Sequence, residues 1–280
     1  GGFTVNNNGH CYYNGYTYVA WAWKAGGSKN TFNVDDVGYA SAAAAGLDGG
    51  AINPAGASVG TKQGFSIILQ SGLTAYADSV SSHGLSQTPD FIISKNKAAA
   101  GQWDVYHSGL TSGKRIRLNQ TTAEFTPNFS NTDSSMKSVG SSTFTYVANS
   151  GSGNDIIHYI WHDVPGLQKF GSYEGNSVAD GPFVELGFQP AIIWLKNADD
   201  GTNRHWCIVD GTRTSFNKSA SAEVLFADDS QVESYANNNY GQFGSKPCVD
   251  ILSNGFKVRE GDTSGVYTQT NRANTIIYCA

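Results

Sequence analysis

The feature that most constrains this chain is that it writes one pattern twice. FVELGFQPAIIWLKN, Phe183 to Asn197, follows SHGLSQTPDFIISKN, Ser82 to Asn96, at a separation of about a hundred residues. Pro89 aligns with Pro190, Phe91-Ile92-Ile93 with Ile192-Ile193-Trp194, and Lys95-Asn96 with Lys196-Asn197. In this alignment His83 falls on Val184 and Gly84 on Glu185. Downstream, WDVYH (Trp103 to His107) answers WCIVD (Trp206 to Asp210), and RIRLN (Arg115 to Asn119) answers EVLFA (Glu223 to Ala227). STFTYV (Ser142 to Val147) answers NGFKVR (Asn254 to Arg259), and DIIHYIW (Asp155 to Trp161) answers TIIYCA (Thr275 to Ala280). Upstream, GFSIILQSG (Gly64 to Gly72) pairs with KFGSYEGN (Lys169 to Asn176). A period this long exceeds a solenoid unit and implies tandem small domains.

The opening residues fit a third time. GGFTV followed by YTYVAWAW (Tyr16 to Trp23) repeats the closing module NGFKV…TIIYCA. The expected organisation is therefore the end of a preceding repeat over 1–24, then a linker or excursion over 25–61. Repeat 1 follows over 62–166 and repeat 2 over 167–280, the last with a truncated C-terminus. The segment 25–61 is assigned as a linker because it holds few large apolar residues.

Within each repeat the apolar runs are short, four to seven residues, and rich in β-branched and aromatic types. Gly- and Ser-rich stretches such as SGLTSGK and NSGSGND separate them. RIRLN alternates, with Ile116 and Leu118 on one face and Arg115 and Arg117 on the other, whereas DFIIS and AIIWL read as strands buried on both faces. Charged residues make up only 15% of the chain, against 33 glycines and 12% aromatics, which favours strands and tight turns over helices. The expected fold is all-β: tandem antiparallel β-sandwich, jelly-roll-like domains with one incomplete N-terminal repeat.

Composition also excludes function classes. Net charge is −5 and no basic cluster occurs, so no nucleic acid partner is expected. No apolar run reaches the ~18 residues of a spanning helix, so no membrane insertion is expected. Cys11, Cys207, Cys248 and Cys279 lie far apart, with no zinc-site spacing, and Cys207 and Cys279 read as small core residues.

A glycosidase needs two carboxylates facing across a cleft. Glu124, Glu174, Glu185, Glu223, Glu233, Glu260, Asp180 and Asp210 show no telling pairing. Asp180 reads as a turn residue before Gly181-Pro182, and Asp199-Asp200-Gly201 as a hairpin tip. His158 and His162 are four apart, but on a strand that spacing separates them by about 13 Å. No catalytic residue, no cofactor and no metal site is assigned. Trp103 and Trp206 recur at one place in both repeats and read as core, as does Trp194. The loop aromatics Tyr12, Tyr13, Tyr76, Tyr235, Tyr240 and Phe243 are the candidate ligand contacts, because flat rings stack on the C–H faces of sugars.

The combination YVAWAWKAGG, HGL–x–x–TPDFIISKN, W–x–VYH and FGSYEGN…DGPFVELGFQPAIIWLKN resembles repeat domains of phage virion structural and tail fibre proteins from marine and aquatic bacteriophages. That resemblance implies a non-enzymatic β-rich virion component, in a tail fibre or other exposed appendage. It implies a homo-oligomer, a trimer in the favoured form, contacting other virion proteins and host surface polysaccharide. The alternatives are a carbohydrate-binding lectin-like module and a capsid-decorating protein.

Overall fold

In a computed structural model the chain is all-β and builds β-sandwiches from antiparallel sheets. The structure describes residues 4, 15, 17–130, 132–149, 154–202, 204–213, 224–230, 249–259 and 270–280. The strands of the first half are β1 (Phe32–Val34), β2 (Val37–Tyr39), β3 (Gly56–Gly60), β4 (Phe65–Leu73), β5 (Asp78–Ser82), β6 (Phe91–Asn96), β7 (Trp103–His107), β8 (Ile116–Arg117), β9 (Ser135–Val139), β10 (Thr143–Val147) and β11 (Asn154–Trp161). Those of the second half are β12 (Phe170–Glu174), β13 (Phe183–Glu185), β14 (Ile192–Asn197), β15 (Cys207–Asp210), β16 (Leu225–Phe226), β17 (Val249–Leu252), β18 (Gly255–Val258) and β19 (Thr275–Cys279).

Among the described residues four sheets form, in two matching sets. The first half holds a large sheet, β2-β1-β3-β4-β11-β6-β7-β8, and a small one, β5-β10-β9. The second half holds β12-β19-β14-β15-β16 and β13-β18-β17. The order β4-β11-β6-β7-β8 thus recurs as β12-β19-β14-β15-β16, and β5-β10-β9 as β13-β18-β17. Register repeats too. Ile93 faces Val105 across β6–β7 as Trp194 faces Ile208 across β14–β15, and Ile156 faces Asn96 as Ile276 faces Asn197.

Each sandwich has its own core, set by the two-residue alternation of strands. In the first, Ile68, Ile92, Ile156 and Ile160 of the large sheet meet Met136, Phe144 and Tyr146 of the small one. In the second, Ile193, Leu195, Cys207, Val209, Ile276 and Tyr278 meet Val184, Phe256, Val258, Val249 and Ile251. The opposite faces of the two large sheets are apolar as well, and they pack on each other. Phe65, Phe91, Ile93, Val105, Ile116 and Trp161 join Phe170, Ala198, Trp206, Ile277 and Cys279 in a third core. The layers therefore run small sheet, large sheet, large sheet, small sheet. The faces that meet in the middle are equivalent ones: Val105 corresponds to Ile208, and Ile93 to Trp194.

Several expectations are corrected. The segment 25–61 is not a linker: it supplies β1, β2 and β3, with β3 antiparallel to β4 and β1 parallel to β3. Its inward residues are small or short, Ala42, Leu47, Ala57 and Val59, yet all are buried in the first core. A low count of large apolar residues concealed a segment whose alternation is carried by alanine and valine. The stretch Tyr16 to Trp23, expected to repeat a closing strand, carries no strand over its described residues, 17–23.

Two alignments also shift. His83 N donates to Ser142 O as Leu186 N donates to Asn254 O, so His83 corresponds to Leu186, not to Val184. Gly84 then matches Gly187, and both have positive φ, 72° and 81°. The first repeat has two extra residues between this glycine and its proline. Asp104 pairs with Arg117 as Cys207 pairs with Phe226, so Ile116 corresponds to Leu225, one residue from the sequence alignment.

Candidate functional site

The repeated positions show how side chains were turned to structural ends. His107 and Asp210 close the turns after β7 and β15. His107 Nδ1 accepts from Gly109 N at 2.9 Å, and Asp210 Oδ1 accepts from Thr212 N at 3.0 Å. Histidine has a second nitrogen, and its Nε2 donates across the central interface to Tyr278 O at 3.0 Å. His158 lies in the first core between the rings of Phe144 and Tyr146. Ser94 Oγ donates to its Nδ1 at 2.8 Å, and its Nε2 donates to Gln70 Oε1 at 3.0 Å. Gln70 Nε2 in turn donates to Ser81 Oγ at 2.7 Å. His83 accepts from Leu85 N and donates to Gly140 O. Burial lowers the pKa of His83 and His107 to about 4 and that of His158 to about 3, so all three are neutral at pH 7.

Several of the candidate carboxylates are similarly committed. Asp104 is buried, accepts from Ser135 Oγ and Met136 N, and burial raises its pKa to about 6. Asp180 pairs with Lys257 at 2.8 Å. Glu124 accepts from Thr111 N, and Glu174 from Thr275 Oγ1. In the loop joining β14 to β15, Asp200 holds Arg204 at 2.9 Å and Asp199 accepts from Thr275 N. Glu223, Glu233 and Glu260 lie outside the described residues. Cys207 and Cys279 are buried in β15 and β19, and burial raises the pKa of the Cys279 thiol well above its usual value. Cys11 and Cys248 lie outside the described residues.

Of the expected ligand contacts, Tyr12, Tyr13, Tyr235, Tyr240 and Phe243 also lie outside the described residues. Tyr76 is half-buried at a positive φ of 58°, with its backbone N donating to Ala148 O at 2.7 Å. It is a turn residue beside β5.

The structure draws together a different set of aromatics. Where the two large sheets face each other, a cavity of about 400 Å³ opens between them. β4 contributes Phe65 and Ile67, β6 contributes Phe91 and Ile93, and β11 contributes Tyr159 and Trp161. From the second large sheet come Phe170, Ile192 and Trp194. Trp161 stacks on Phe65 at 4.6 Å and meets Trp23 edge-on at 6.2 Å. Trp23 and Trp103 are 43% and 37% exposed, which makes them the rim.

The two repeats place different rings around the cavity. Trp206 is fully buried and donates its Nε1–H to Arg117 O at 2.9 Å across the interface. Its counterpart Trp103 was expected in the core as well, but it stands exposed at the rim. Trp194 occupies the place of Ile93, and it too was expected to be buried but is only partly so. The lining is almost wholly apolar. Its polar side chains include Tyr159, Cys279, the indoles and Gln168, whose Nε2 donates to Gly64 O and His162 O. The Nε1–H groups of Trp161 and Trp194 are buried and have no acceptor. The sequence signal for this site was an apolar outer face on strands already committed inward, with tryptophan where the other repeat has isoleucine.

Two findings bear on kinship. The family model described as Domain of unknown function (DUF7483) matches residues 1–280. No curated protein and no solved structure matches the chain.

Proposed function

The chain belongs to the DUF7483 family over its whole length, and from that premise we propose that it is a non-enzymatic segment of a phage virion fibre or other exposed appendage. It acts as a structural element built from repeated β domains and presents loops and rim aromatics to host surface polysaccharide. One observation carries the reading: the same sheet order occurs twice and the two copies dock through equivalent faces. A face that buries itself on its own copy completes a self-contained four-layer block. Such blocks lengthen a shaft without demanding a larger core, and repeated weak sites along the shaft gain avidity. The buried histidines and paired carboxylates described above serve turns, cores and interfaces, in keeping with a structural role. In the virion the blocks assemble as an oligomer of identical chains, a trimer in the favoured form, against other virion proteins.

Antibodies raised against the chain are expected to label a fibre or appendage on intact particles by electron microscopy. Particles that carry no label, or label confined to the capsid shell, would overturn the reading. A carbohydrate-binding module is the second reading, favoured by the exposed rings of Trp23 and Trp103. Saturable binding of the isolated chain to single glycans on an array, with no label on particles, would support it over the first.

A further inference from the structure

We propose that the polar cavity at one end of the first sandwich is a binding site for a single uncharged sugar ring. There the loop from β6 to β7 and strand β8 face the segment before β9 and the end of β10. The cavity measures about 280 Å³, and Asn96, Gln102, Arg117, Asp133, Tyr146 and Asn149 are among its walls. It shares no lining residue with the apolar cavity between the large sheets. Its volume lies just under the ~300 Å³ at which sites for drug-sized ligands begin, which suits one ring and not a longer oligomer.

The chemistry of the walls narrows the occupant. Eight of the eleven described residues that line the cavity carry polar side chains, so an apolar occupant would take water from groups it could not hydrogen-bond. The charged residues among them are Arg117 and Asp133, which pair at 3.2 Å. An ion would therefore find its counter-charge already matched. Their side chains are 26% and 18% exposed, so a ligand reaches both. Arg117 donates to Gln120 Oε1 and Asp133 Oδ1, which leaves three of its five N–H groups uncommitted. Gln102 is exposed, and its side-chain amide makes no hydrogen bond within the fold. The walls thus offer donors and acceptors together, and the hydroxyl is the group that both gives and accepts. A sugar ring carries several hydroxyls side by side, and Ala99 and Ala100 present small apolar surface to its C–H groups.

The walls are held in place by the fold itself. Asn96 Oδ1 accepts from Ala98 N and Ala99 N, the Arg117 guanidinium lies over the Phe125 ring at 4.6 Å, and Asp133 Oδ2 accepts from Asn128 N at 2.7 Å. Repeat 2 does not rebuild the site. Trp103 N donates to Asn119 Oδ1 as Trp206 N donates to Asp228 Oδ1, so Gln102 corresponds to His205, and the ladders match Arg117 with Phe226. His205 and Phe226 pack ring on ring at 4.8 Å, where repeat 1 holds an amide and a guanidinium. The inference deepens the polysaccharide reading above and rests on it only for the source of the sugar.

The probes are the methyl pyranosides of glucose, galactose, mannose and N-acetylglucosamine, with galacturonic acid and N-acetylneuraminic acid as charged counterparts. They are titrated against the full chain by ligand-observed nuclear magnetic resonance. A neutral pyranoside is expected to bind saturably and more tightly than either acid. Gln102→Leu should weaken it about fivefold, and Ala100→Trp, which fills the cavity, should abolish it. Leu167→Ala, on the exposed turn before β12, should leave binding unchanged. Unchanged near-ultraviolet dichroism identifies variants that keep the fold. The proposal fails if no neutral pyranoside binds the wild-type chain, if an acid binds better, or if a folded Gln102→Leu or Ala100→Trp binds as wild type does. Loss on Trp23→Ala with retention in Gln102→Leu would put the sugar on the rim of the other cavity and also overturn it. Particle labelling separates the two readings: a labelled appendage with no pyranoside binding removes this site alone, and pyranoside binding without label removes the fibre alone.

Discussion

His107 and Asp210 hold the same place in the two repeats because an imidazole Nδ1 and a carboxylate oxygen both accept the N–H two residues on. Histidine adds a donor, and the central interface uses it on Tyr278 O. His107→Asn retains the turn acceptor and loses the bridge; it should lower stability by about 1–2 kcal/mol in chemical denaturation at pH 7. The histidines also set the pH response. His83, His107 and His158 have folded pKa values of about 4, 4 and 3, below the usual 6.5, so the unfolded chain binds more protons as pH falls. Their contribution is complete above pH 6.5 and is lost as pH falls towards 4. Asp104 opposes them: its folded pKa of about 6 lies above the usual 3.8, so its effect favours the fold as pH falls through 6. Between pH 7 and pH 5 each histidine costs about 2 kcal/mol and Asp104 returns about 1. The melting temperature should therefore fall on acidification, less steeply in His107→Asn. A flat profile from pH 7 to pH 5 would contradict the buried neutral state of these rings.

The turns that end repeated strands show what made the repetition legible. Asn96 Oδ1 accepts from Ala98 N and Ala99 N, and Asn197 Oδ1 accepts from Asp199 N and Asp200 N. The preceding lysines donate to the asparagine carbonyls, Lys95 Nζ to Asn96 O and Lys196 Nζ to Asn197 O. A Lys-Asn pair after an apolar run is thus one physical device, and it aligns by eye. The glycine pair was harder to see, because two extra residues follow Gly84 and shift the local alignment. Gly84 and Gly187 share a positive φ but not their surroundings. A Cβ on Gly84 would meet Leu47 and Val59 side chains at 2.8 Å, whereas one on Gly187 meets nothing within 4 Å. Gly187→Ala should cost only the left-handed backbone penalty, about 1–2 kcal/mol, and Gly84→Ala about 1–3 kcal/mol more. Urea midpoints of the two variants measure this; equal losses would refute the packing difference.

At the scale of the molecule, the third core joins two sandwiches that each have a core already. Phe170 stacks on Phe91 at 5.6 Å, and Trp206 reaches Arg117 O, so neither half keeps its outer face dry alone. Calorimetry is expected to show one cooperative transition, and Leu195→Ala in the second core should lower it as a whole. Two separated transitions, with only one moved by Leu195→Ala, would mean that the halves unfold independently. The pairing of equivalent faces also limits growth: the contact is saturated by two repeats, and a longer array must extend through other surfaces.

The amino-acid order by itself determined the all-β class, the duplication and the strands that carry it, since period-two alternation, turn chemistry and recurrent motifs are local properties. Only the tertiary structure decided that 25–61 joins the first sheet, that both large sheets have a second buried face, and that Trp103 and Trp206 part company. Each of those depends on which surfaces meet, and a strand's sequence states that a face is apolar without saying what will cover it.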